Sequence, residues 1–479
     1  MTDAPDVSGS PDALWRLSAS ELVRGFRAGS FTPVDALDAC LARAEACEPA
    51  LNAMVCFDRD GAHRAAEASR ARWAVGQPLG PLDGVPMTVK DNLHVAGPPT
   101  AWGSRLLRDV VPAFDELPVK RVRAAGAVLF GKTNLPEFAM QGVTINALTG
   151  TTRNPWNVAL TPGGSSGGAA AAVAAGYGPL ALATDGGGSI RRPASHCGLV
   201  GFKPSMGMVP RGGGLPDIFL DYEVAGGIGR SVNDVRMLTG VLAGAPLIAS
   251  PPQAARILFV PRFGAHPVDA GIAAQVRVAA ERFEALGHRV EEASSFDLAE
   301  EVNAMWPLLS AIGLAWMFES ADTWPGLGWH DGQAPDAGLC GDAARGALAQ
   351  GRAAVGASLF DVLAAVQRMR QALDALFAVH DFILTPATAA LPWPAAQTHP
   401  ETIDGQAVGP RGHAVFTAFA NAAGLPAIAV PCGEVDGLPT GFQLVGRART
   451  DAAVLALARQ IELAYPRAAR WPVFGASVR

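Results

Sequence analysis

A chain of 479 residues with 49% hydrophobic and 17% charged side chains can bury an extensive core, yet it holds no uninterrupted apolar run long enough to cross a bilayer. A net charge of −6 without clustered Lys and Arg argues against direct nucleic-acid binding, which needs a positive surface to displace counterions. Six cysteines with no Cys-x-x-Cys spacing and nine scattered histidines with no paired motif argue against a zinc or redox centre, so neither metal nor cofactor is expected.

Residues 1–11 are polar and lack the basic-then-apolar order of a secretory signal, which predicts a disordered tail on a cytoplasmic protein. Ser18-Ala19-Ser20-Glu21 is a capping box for a first helix that should stop near Gly29. Thr32 followed by Pro33 starts a second, with its apolar face at Val34, Leu37 and Leu41. The apolar run Val85 to Val89 reads as a strand that ends in Lys90, and Ala127 to Phe130 reads as another. The segment from Gly126 to Thr133 satisfies the phosphate-loop pattern G-x-x-x-x-G-K-[ST]. Its four intervening residues are strand-like, however, and Asn134-Leu135-Pro136 breaks any following helix, so Lys132 is read as capping a strand end. Phe382 to Thr385 and Ala427 to Val430 complete an alternation of strands with helical segments. The expected architecture is α/β: one large domain over residues 1–479, with a mixed, mostly parallel sheet covered by helices on both faces. No linker-like segment separates positions 90, 165 and 189.

The chemistry concentrates in two serine-bearing glycine loops, Gly163-Gly164-Ser165-Ser166-Gly167-Gly168 and Gly187-Gly188-Ser189-Ile190-Arg191. Either loop alone reads as a flexible linker or as a phosphate cradle. With Lys90 upstream, the set points to a serine nucleophile. A serine hydroxyl needs a base to take its proton, and a lysine can serve only when neutral. Lowering a lysine from about 10.4 to about 7 takes roughly 4–5 kcal/mol, which burial and the positive end of a helix at Ala169 to Ala175 can supply. Gly186, Gly187 and Gly188 can turn successive N–H groups toward one point beside Ser189, a nest suited to an oxyanion. His196 beside Cys197 suggests a Cys/His pair, but neighbours on an extended strand point to opposite faces, so a structural role is expected.

At these residues, in this order and spacing, the chain resembles the amidase signature family. The resemblance implies Ser189 as nucleophile, Ser165 as a bridging serine on a cis peptide bond, and Lys90 as general base. It also implies an oxyanion hole of the Gly186, Gly187, Gly188 and Ser189 backbone N–H groups. Ser166, Asp185 and Arg191 would hold the glycine loops by hydrogen bonds. The likeness is dense from about Leu82 to Val235 and returns at Asp381 to Pro386, Asn421 to Pro426 and Gly437 to Gln443. The family reads Gly-Thr-Asp-Thr-Gly-Gly-Ser where this chain reads Ala183-Thr184-Asp185-Gly186-Gly187-Gly188-Ser189, and the extra glycine adds conformational entropy to the loop.

The implied activity is hydrolysis of a carboxylic amide to the acid and ammonia or an amine, through an acyl-enzyme on Ser189. A small-molecule amide is then the expected partner, with no nucleic acid and no membrane, and a homodimer is left open. Residues 250–380 form a variable substrate-side region in which Trp306, Trp316, Phe318, Trp324 and Trp329 are concentrated. These aromatics either fill a helical core or line an apolar or aryl acyl pocket, with Trp324 to Trp329 as a loop over the site. Phe138, Ala139 and Met140 occupy a position that lines the acyl side in relatives. One rival reading is the glutaminase subunit of a tRNA-dependent amidotransferase. Those subunits place an acidic residue before Asn-x-x-Gly-x-Pro to pair the glutamine ammonium, whereas His413-Ala414-Val415-Phe416-Thr417 has no carboxylate. A second rival, from another class, is a nucleotide-binding protein built on the Lys132 segment.

Overall fold

The first two helices begin where their own side chains cap them. Ser18 Oγ accepts from the Glu21 amide at 3.3 Å while Glu21 accepts from the Ser18 amide at 2.8 Å. This opens the helix Ala19–Ala28, which ends at Gly29 with φ +67°. Thr32 and Asp35 repeat the device for Pro33–Leu51, whose Leu37 and Leu41 are buried while Val34 is half-buried. The computed structural model describes residues 11–324, 327, 335–467 and 470–472. The tail expected over residues 1–11 thus lies outside the described residues except for Pro11, which opens the short helix Pro11–Arg16.

An eleven-stranded sheet forms the centre of the molecule. From edge to edge it runs Met54–Phe57, Val128–Thr133, Pro86–Lys90, Leu180–Asp185, Val224–Gly229, Val200–Lys203, Ala427–Val435, Leu438–Gly446, Phe382–Pro386, Arg256–Phe259 and Arg289–Glu292. The sheet is mixed, as expected, but the parallel majority is not found: six of the ten pairings are antiparallel and four parallel. The reason lies in the connections. Parallel neighbours need a crossover, supplied by Leu117–Ala124 on one flank and Ala270–Ala285 on the other. The middle is built on the Ala427–Gly446 hairpin, which needs none.

Side-chain alternation along the strands decides what each face meets. Val128 and Phe130 pack with Leu37, Leu41, Ala171 and Ala175, whereas Leu129, Met87 and Val89 pack with Val119, Val122, Leu238 and Leu242 on the opposite face. Helices therefore cover both faces. Lys90 follows Val89 and so faces the helix Gly167–Ala175. That helix is glycine and alanine apart from Val173, and all nine of its residues are buried; small side chains let its backbone settle close to the sheet. Among the described residues no helix is long and apolar enough to cross a membrane.

Candidate active site

Lys90 closes a strand in which every residue is buried. Its Nζ lies 2.8 Å from Ser165 Oγ, 2.9 Å from Thr184 Oγ1 and 3.4 Å from Thr184 O. Burial pushes the ammonium down to about 8, against the opposing pull of Glu223 and Asp185. The next residue, Asp91, pairs instead with Lys132 Nζ at 2.7 Å, and Lys132 also donates to Pro99 O and Thr100 Oγ1. Lys132 is therefore not a strand-end cap but an interior cation with all three protons engaged, and the phosphate-loop pattern offers no free charge.

The Gly164–Ser165 peptide bond is cis. Ser166 donates its hydroxyl to Thr184 O at 3.1 Å, and its amide donates to Ser189 O at 3.2 Å, which ties the two glycine loops together. Asp185 carries the second loop. Its carboxylate accepts from the amides of Gly188 at 2.7 Å and Ile190 at 3.0 Å, and from Arg191 Nε at 3.0 Å and Nη2 at 2.8 Å. Burial alone would raise the Asp185 carboxyl, but the Arg191 guanidinium holds it well below the usual carboxylate range. Ser166, Asp185 and Arg191 thus hydrogen-bond within and between the two glycine loops. The Gly188 N–H expected in the oxyanion hole is spent on Asp185, which leaves Gly186, Gly187 and Ser189 as the loop amides without a protein acceptor among the described residues.

Three residues brace this loop: Thr417 and Asn421, to which sequence reasoning assigned no role, and Trp306, which it read as core filling or pocket wall. Thr417 Oγ1 donates to Gly187 O at 2.7 Å, Trp306 Nε1 donates to Gly186 O at 3.0 Å, and Asn421 Nδ2 donates to Asp185 O at 2.7 Å. Gln443 joins them, accepting from Arg191 Nη1 at 2.5 Å. The legible signal was polarity out of place: Gln443 is a buried amide in the middle of an apolar strand.

Ser189 opens onto a cavity of about 890 Å³ that Gly186, Gly187, Ala139, Met140 and Trp306 also line. Phe138 does not line it; the side chain is fully buried, edge-on to Trp102 at 5.5 Å. Trp324 packs edge-on against Trp316 at 5.3 Å and is likewise absent from the lining, while Trp329 lies outside the described residues. Among the described residues of the aromatic concentration, Trp306 is the member that reaches the cavity. His196 lies in the helix Arg191–His196 rather than on a strand, because Pro193 and Ala194 continue the turn begun at Arg191. Its Nε2 meets Ala390 O at 3.1 Å, and Cys197 Sγ meets Pro162 O at 3.8 Å, so the two form no pair.

The family model Amidase matches residues 35–455. A glutamyl-tRNA(Gln) amidotransferase subunit from Symbiobacterium thermophilum is 35% identical, covering 92% of this chain and 95% of that protein. An acylamidase of Rhodococcus erythropolis is 33% identical, covering 95% and 97% respectively. Among solved structures, a bacterial aryl acylamidase of the amidase signature enzymes superposes with a TM-score of 0.85 at 29% identity, covering 94% of this chain and 96% of that one. The chain belongs to the amidase family, as a hydrolase of amide C–N bonds with the amidase signature fold.

Proposed function

We propose that the protein is a stand-alone amidase that hydrolyses a carboxylic amide, with an apolar or aryl acyl group, through an acyl-enzyme on Ser189. The observation that carries this reading is a buried lysine, paired with no carboxylate among the described residues, 2.8 Å from Ser165 and beneath the loop that presents Ser189 to the cavity. The start of the helix Gly167–Ala175 beside Ser165 adds a partial positive charge that disfavours the ammonium form further. Neutral Lys90 Nζ accepts the Ser165 proton, Ser165 Oγ accepts that of Ser189, and Ser189 Oγ bonds to the amide carbon. The amides of Gly187 and Ser189, with Gly186 beside them, hold the oxygen that becomes negative. The proton then returns through Ser165 to the leaving nitrogen as the C–N bond breaks, and water releases the acid by the same relay. Intact mass spectrometry after exposure to a fluorophosphonate tests this: one adduct on Ser189, absent in Ser189→Ala, is expected, and labelling at another serine sinks the assignment.

The glutaminase reading is supported by the names of the amidotransferase relatives. Under it, tRNA would be a partner of the assembly, and the expectation of no nucleic acid belongs to the stand-alone reading alone. The stretch from His413 to Thr417, where those subunits would need a carboxylate, has none and weighs against it. L-Glutamine hydrolysis faster than that of any aryl or alkyl amide would reverse the order of the two.

A further inference from the structure

The cavity that holds Ser189 is unevenly satisfied. Its carboxylates are engaged: Glu137 accepts from Ser104 Oγ at 2.6 Å and the Gly341 amide at 2.8 Å. Glu223 accepts from Asn92 and Arg211, each at 3.2 Å, and Asp342 pairs with Arg345. Among the described residues its basic side chains are only partly engaged. Arg192, 3% exposed, donates from Nη2 to Gly164 O at 3.2 Å, while its Nε and Nη1 are buried without an acceptor. Arg411 also lines the cavity with a buried Nη2 that has no acceptor. His413, 2% exposed, has neither ring nitrogen hydrogen-bonded and lies against Trp393 at 4.6 Å between ring centres. Asp185, the carboxylate that acts on Arg192 through space, is already bound to Arg191.

Leaving such donors dry is costly, since a buried polar group without a partner loses its hydration and regains nothing. A guanidinium cannot escape by losing its proton. It can be answered only by an acceptor from outside the chain, and an acceptor with negative charge answers two guanidinium groups best. A carboxylate fits, because its paired oxygens match the planar donor fork.

We infer that Arg192, Arg411 and His413 form an anion subsite within the catalytic cavity, and that the substrates of this enzyme are amides bearing a carboxylate. The inference rests on amide hydrolysis at Ser189. The apolar wall of Ala139, Met140, Ile145 and Trp306 takes the hydrocarbon part, and the engaged carboxylates offer nothing to an ammonium group. The carboxylate belongs either to the acyl part, as in a monoamide of a dicarboxylic acid, or to the amine part, as in an N-acyl amino acid.

The test uses matched amide pairs in both series, one member ending in a carboxylate and the other in a methyl group. In one series kcat/KM should favour the carboxylate about ten- to a hundredfold, mainly through KM, the range expected of hydrogen bonds to a charged group. Arg411→Gln and Arg192→Gln should collapse that ratio toward one, and Arg411→Lys should restore part of it. If the variants fail to fold, the wild type still decides: a dicarboxylate should protect Ser189 from the fluorophosphonate, and its dimethyl ester should not. Equal rates within both pairs, a ratio that survives both substitutions, or equal protection by acid and ester overturns the subsite. Labelling of Ser189 without carboxylate preference rejects the subsite alone, whereas absence of labelling rejects the amidase reading beneath it.

Discussion

Lys90 and Lys132 lie on neighbouring strands and both are buried, yet one faces a carboxylate and the other faces hydroxyls. That difference suits Lys90 to be a base. With its ammonium pushed down to about 8, the active neutral form is the minor one at pH 7 and the major one above pH 8. The rate of fluorophosphonate labelling should therefore rise about tenfold per pH unit below 8 and level off above it. In Lys90→Met the limb should vanish and the rate fall by roughly 10²–10⁴, the usual contribution of a positioned base. A limb of the same midpoint in that variant would assign the titration elsewhere. The glycines of the loop make a second test at this scale. Gly188 has φ +114°, and a Cβ there would sit 2.3 Å from Thr417 Oγ1, so Gly188→Ala should cost roughly 1–3 kcal/mol and most of the labelling. Gly186 carries no such φ, and its Cβ would meet Glu223 and Phe219 at 3.4 Å. Gly186→Ala should keep the labelling and gain about 0.4–1 kcal/mol by narrowing the unfolded ensemble, as read from urea midpoints.

The short helix Arg191–His196 joins the two halves of the site. Arg191, with no exposed surface, binds Asp185 on one side and Thr417 O, Asn421 and Gln443 on the other. Breaking a buried pair leaves the other charge stranded, so Arg191→Met should lose about 3–5 kcal/mol, whereas changing both partners to apolar residues should cost less than the single change. A double-mutant cycle by chemical denaturation reads this coupling, and strict additivity would mean that the pair does not brace the loop. The same helix shows where sequence reading stops. Lys90, Ser165 and Ser189 could be picked out as candidates because their signals are local: a lysine in an apolar strand and glycines beside serines. The first helices were legible because Ser18, Glu21, Thr32 and Pro33 write their own start signals. Strand direction was not, because Phe382 to Pro386 reads the same whether its neighbour runs with it or against it; only the connections decide. Nor were the contacts of Thr417 and Trp306 with the glycine loop, whose partners lie far away in sequence, nor the convergence of Arg192, Arg411 and His413 on one cavity. The use of the Gly188 amide by Asp185 was not legible either, because nothing in the glycine run says which amide Asp185 will claim.

Across the whole molecule the sheet passes from one edge to the other through the site. The strand Val224–Gly229 pairs with Leu180–Asp185 on one side and Val200–Lys203 on the other. The helix Val232–Ala243 gives Val232 and Val235 to one hydrophobic cluster and Leu238 and Leu242 to another. Lys90 and Ser165 come from the first part of the chain, and Asn421 and Gln443 from the last. The two clusters that hold Phe202 and Trp102 each draw on both parts, and the loop at Asp185 from the first is braced by Asn421 from the last, so the chain should unfold as one unit. Scanning calorimetry should give one transition, and an adduct on Ser189 should shift all of it, since whatever stabilises the loop stabilises both flanks. Two resolved transitions, only one of which moves with the adduct, would divide the chain into separate domains and confine the site to one of them.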